Sequence, residues 1–177
     1  FFFMLMFGLN NASVPIVSYC YGAGRDERCA QTIRWALLYL AIIGAVGIMV
    51  LELFCEPIVS LFSISAESAY CCDAAVRIAG AGLVFGALNI GLQGACQALG
   101  KARSALVIVL LRQAVVMLPL AAVLASAAGA SVLVWIALPA AEGAAVLAAV
   151  PLTARAYRCA FGRAFPGWLP KKSRVGS

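Results

Sequence analysis

Two charged side chains, Arg112 and Glu142, stand inside stretches otherwise too apolar to carry them. Gln113 to Ala141 holds no charge over 29 residues, and Ile78 to Gly100 holds none over 23. An ionised group near a bilayer centre costs roughly 3 kcal/mol on insertion scales, so keeping one implies a partner or a wet cavity. At about 1.5 Å per residue, Arg112 lies roughly 16 Å from Lys101 and Glu142 roughly 19 Å from Arg155. On consecutive antiparallel helices the two share a depth, which predicts one internal cavity and an ion pair. Such charge points to an ion or solute pathway. The plainer alternatives are a buried pair that only sets helix register, and snorkelling of Arg112.

Uncharged polar residues form a second set. Asn10, Asn11, Ser13 and Pro15 fall in the first apolar run, and Gln113 follows Arg112 directly. Asn89, Gln93 and Gln97 recur every four residues and so share one helix face. Each alone reads as interhelical glue, at about 0.6 kcal/mol. Three in a row on one face predict the wall of an aqueous path. Pro15, Pro119 and Pro139 are each expected to remove a helical hydrogen bond within a span.

These residues must be held by membrane helices. The chain of 177 residues is 64% hydrophobic and 11% charged, against about 25% charged in soluble domains. Apolar runs near 20 residues match the bilayer core. Five spans are predicted: Phe1–Tyr21, Thr32–Phe62, Ala74–Leu99, Ser104–Leu124 and Val132–Thr153. The separators GAGRDER, SISAES, GKARS and SAAGAS read as helix breaks.

Charge orients the spans. Arg25, Arg28 and Arg34 mark the first connection, Lys101 and Arg103 the third, and six basic residues from Arg155 to Arg174 the tail. The second connection is acidic (Glu56, Glu67 and Asp73) and the fourth uncharged. This alternation predicts a multi-pass protein with GAGRDER and the C-terminus in the cytoplasm, and Trp168 as an interfacial anchor. The net charge of +6 accordingly belongs to a membrane surface, not to nucleic acid. Histidine is absent and seven cysteines form no CxxC pair, so neither a zinc site nor an enzyme is expected. The cysteines read as small packing residues. Phe1 falls inside an apolar run with no basic segment before it, so a C-terminal fragment of a larger protein is expected.

The segment GLNNASVPIVSYCYGAGRDER, followed in order by EPIVSLFS, CQALGKARSAL, LLRQAVVMLPLAAVLA and VWIALPAAEGAA, resembles the multidrug and toxic compound extrusion (MATE) family. The likeness extends from Phe1 to about Arg158 and is greatest to its bacterial DinF-like branch. It implies an all-α transporter of twelve helices in two lobes. Residues 1–158 would supply the last five helices of the second lobe, lacking its first, and 159–177 a basic cytoplasmic tail. The missing N-terminal lobe would be its partner. The implied function is export of drugs and organic cations across the cell inner membrane in exchange for Na⁺ or H⁺, with no other cofactor. Asn10, Asn11, Pro15, Gln93, Arg112, Gln113 and Glu142 would face the cavity or gate, beside Asn89 and Gln97 of the polar stripe. Some members carry a membrane-embedded aspartate near what is here Gly86 or Ala87, so coupling would rest on Glu142 or on the first lobe. The alternatives are a flippase or exporter of lipid-linked or metabolite substrates, and a non-transporting membrane-assembly subunit.

Overall fold

The computed structural model describes residues 1–55, 57, 66–128 and 133–162. Among these residues there are helices and turns but no strand. Helices α1 (Phe2–Gly22) and α2 (Asp26–Leu53) form an antiparallel pair. Helix α3 (Ala66–Ala81) runs into α4 (Leu83–Ala98), and α5 (Ala102–Leu110) passes through a π-helical segment (Leu111–Met117) into α6 (Leu118–Ala128). A 3₁₀ turn (Leu133–Ile136) leads into α7 (Ala137–Phe161). Four helical stretches are long and apolar enough to cross a membrane, and the bent α3–α4 pair makes a fifth. The chain is an all-α, multi-pass membrane protein.

Several boundaries differ from the sequence expectation. The first connection is tighter than GAGRDER, because Asp26, Glu27 and Arg28 already belong to α2. Asp26 and Glu27 fill its first turn, where carboxylates answer the positive end of the helix dipole. Gly24 completes the turn with φ +66°, a conformation open to glycine at little cost. Helix α2 ends at Leu53; the span end expected at Phe62, like most of EPIVSLFS, lies outside the described residues. The third span is not one rod: it breaks at Gly82 and bends by 41°. The last helix continues eight residues past Thr153, with Arg155 and Arg158 exposed along it, since long basic side chains reach polar surroundings while their stems stay on the helix. Pro139 falls in the first turn of α7 and therefore costs it no bond, whereas Pro151, which the sequence reading passed over, is internal. The expected anchor Trp168 and most of the basic tail lie outside the described residues.

Helix α4 is the hub. It packs against α1, α2 and α7, and eleven of its sixteen residues are buried, so it is enclosed by protein rather than by lipid. Close approach depends on small residues. A Cβ placed on Gly44 of α2 would stand 2.9 Å from the Val84 Cα of α4. On α7, Ala141, Ala145, Ala149, Thr153 and Tyr157 are buried at intervals of four, forming one face. The Thr153 hydroxyl donates to the Ala149 carbonyl of its own helix at 2.9 Å and faces α4, where the Cys96 thiol, 3.4 Å away, can donate to it and the Leu92 carbonyl stands at 3.5 Å.

Two long-range hydrogen bonds tie one end of the bundle together. The Ser18 hydroxyl of α1 donates to the Ala98 carbonyl of α4 at 3.2 Å, and the Tyr157 hydroxyl of α7 donates to the Asp26 carbonyl of α2 at 2.8 Å. Arg25, Arg28, Lys101, Arg103, Arg155 and Arg158 are thereby gathered at a single end. The sides are strongly apolar, with Leu147 78% exposed and Leu118 67%. Such a surface suits acyl chains and not water.

Gly44→Val should force α2 and α4 apart. Overpacking of this kind costs about 1–3 kcal/mol, so thermal unfolding in detergent should occur several degrees lower. An unchanged melting temperature would show that the crossing tolerates a side chain.

Candidate functional site

Glu142 belongs to the second turn of α7 and is buried, at 7% exposure. Its carboxylate is met from two sides. Asn89 of α4 donates through Nδ2 to Glu142 Oε2 at 2.8 Å and to the Glu142 backbone carbonyl at 3.0 Å. The Arg112 guanidinium stands 3.3 Å from Oε1 and 3.5 Å from Oε2. Charge-assisted N–H···O⁻ bonds usually measure about 2.7–2.9 Å. The amide therefore holds the carboxylate closely, and the guanidinium holds it at arm's length.

Arg112 is presented by the π-helical segment. A π turn carries more residues than an α turn and so shifts the side-chain register of all that precedes it relative to all that follows; single π turns recur at functional sites. Pro119 follows two residues beyond the segment and lacks the N–H that would bind one turn back, which gives this winding a local cause. The segment packs against α7, where Glu142 resides.

One atom of the cluster is unanswered. Asn89 is 1% exposed, and its Oδ1 is buried with no hydrogen-bond partner among the described residues. Its Nδ2 is committed to Glu142, so the orphan is a carbonyl oxygen able to accept from a donor or to coordinate a cation. An unsatisfied buried acceptor costs about 1–3 kcal/mol. The structure thus brings Arg112, Glu142 and Asn89 together, with the carboxyl carbon of Glu142 also 3.6 Å from where a Cβ on Gly86 would stand.

The other sequence candidates lie elsewhere. Asn10 is buried against α4, where Gly94 leaves room for its carboxamide; a Cβ there would overlap it. Asn11, Pro15, Gln97 and Gln113 are exposed, and Gln93 is half-buried. The polar stripe of α4 is therefore graded, running from buried Asn89 to exposed Gln97. None of the nine candidates lines the groove of about 660 Å³ between α1 and α2. Sequence reasoning missed Thr153 and Tyr157 as bridging residues; their signal was the four-residue repeat that begins at Ala141.

Membrane-spanning helices closing around a buried carboxylate–guanidinium pair define a membrane protein built around intramembrane charge. The chain belongs to the MatE family, whose model matches residues 1–123, and is accordingly of the MATE transporter type. The match includes Asn89 and Arg112 and ends before α7, which contributes Glu142. No curated protein and no solved structure gives a match.

Removing one partner of a buried pair typically costs about 3–5 kcal/mol because the other charge is stranded. Glu142→Gln should therefore destabilise the protein towards the lower end, since the Arg112 side chain is 18% exposed. Adding Arg112→Gln should recover most of the loss. A double-mutant cycle by denaturant unfolding in detergent measures this, and additive losses would mean that the two charges act independently.

Proposed function

We propose that this chain forms part of a cation-coupled exporter of organic cations and drugs, with Glu142 as the carboxylate that exchanges Arg112 for Na⁺ or H⁺. The observation that carries the reading is the uneven grip on the carboxylate. Asn89 positions it at 2.8 Å, while Arg112 neutralises it from 3.3 Å. An incoming cation or proton can take over neutralisation without dismantling the amide contact. The freed guanidinium then has to move, and the π turn that carries it couples that motion to α5 and α6.

Position supports the same reading. The resemblance places a membrane-embedded aspartate of some members near Gly86, and in this chain the Glu142 carboxyl carbon stands 3.6 Å from the site of a Gly86 Cβ. A carboxylate reaching across from α7 serves in place of one carried by α4. The exposed Asn11, Pro15, Gln97 and Gln113, with half-buried Gln93, would then face the cavity shared with the first lobe of a twelve-helix, DinF-like transporter. The five arginines and Lys101 gathered at one end support a cytoplasmic position for that end, by the positive-inside rule, in a protein of the cell inner membrane.

The test is uptake or efflux of a fluorescent organic cation in proteoliposomes holding the complete transporter, driven in turn by an imposed Na⁺ gradient and an imposed pH gradient. Glu142→Gln should lower the initial rate at least tenfold with whichever ion drives the wild type. Glu142→Asp should keep part of it. Wild-type rates in Glu142→Gln would remove Glu142 from coupling and leave the pair as a register device.

A further inference from the structure

The groove between α1 and α2 has the form of a lipid site. Leu9, Ala12 and Ile16 of α1 give it an apolar wall, and Arg28 and Gln31 of α2 close it at the basic end of the bundle. Its lining on α2 runs from Arg28 to Tyr39, a length of roughly 16 Å at 1.5 Å per residue. One leaflet contributes half of the hydrocarbon core, about 15 Å. The groove is thus one leaflet deep, charged where headgroups lie and apolar below.

Two further observations select the occupant. The guanidinium of Arg28 forms no ion pair among the described residues, so its charge is available to an anion. The Trp35 and Tyr39 rings stack with centroids 5.9 Å apart and planes 28° apart, and both stay at least half exposed, so they offer an acyl chain an open aromatic surface below Arg28.

We propose that this groove holds one anionic phospholipid, its phosphate on Arg28 and Gln31 and one acyl chain along the α1–α2 seam. The inference stands apart from the Glu142 site, which shares none of these residues. A basic residue at a membrane surface is worth about a fivefold preference for anionic lipid.

Trp35 reports on the groove directly. In the complete transporter, with Trp135→Phe, Trp168→Phe and phenylalanine at every tryptophan outside these 177 residues, quenching is compared in phosphatidylcholine vesicles doped with brominated phosphatidylglycerol or brominated phosphatidylcholine. Brominated phosphatidylglycerol should quench at about one fifth of the concentration needed with the neutral lipid. Arg28→Gln should abolish the difference, while Arg28→Lys and the neighbouring Arg25→Gln keep it. Equal quenching by both lipids would overturn the proposal in favour of an ordinary lipid annulus. Quenching by neither would overturn it in favour of a polypeptide segment seated in the groove. A preference that survives Arg28→Gln would overturn the assignment of the phosphate.

Discussion

A carboxylate buried between apolar helices has to be answered by donors, and much of this structure is arranged around that demand at Glu142. Two helices other than its own supply the answer: α4 through Asn89 and the α5–α6 rod through Arg112. Each responds differently. The amide is short, neutral and fixed by a second bond to the Glu142 backbone, whereas the guanidinium is charged, longer and carried on a π turn. A change in the charge of Glu142 bears more on the charged contact than on the neutral one, and the proposed coupling role rests on that asymmetry.

Enclosing such a site requires that helices come closer than large side chains permit. The small residues of α2 and α4 and the repeat of α7 provide this, and the buried hydroxyls of Thr153 and Tyr157 add directed bonds where packing alone is indifferent to rotation. Lipid gives no hydrophobic reward for helix association, so close packing and interhelical hydrogen bonds have to specify the bundle. The same division explains the exposed faces. Large apolar side chains such as Leu147, Leu118 and Trp35 point outward, whereas a water-soluble protein keeps most of its large apolar side chains inside.

Much of the organisation was legible in the residues. Uncharged runs near bilayer length revealed the spans, and the depths of Arg112 and Glu142 foretold that the two would meet. Boundaries were read less well. Asp26 and Glu27 look like loop residues until the dipole of α2 is considered, and Arg155 and Arg158 look like the end of a helix that in fact continues beneath them. The break at Gly82 lies inside an unbroken apolar run, because a bend of 41° leaves hydropathy unchanged.

The division between the two sources of information is physical. Hydropathy and charge are sums over a stretch of chain, so the sequence alone determined that the protein crosses a membrane, which ends of its helices lie together, and which charges need partners. The partner of Asn89, the outward placing of Asn11 and Gln113, the π winding at Arg112 and the groove below Arg28 depend on the rotation of each helix about its axis. That rotation is set by contacts between residues far apart in the chain, from Ser18 with Ala98 to Asp26 with Tyr157. Only the packed bundle decides it.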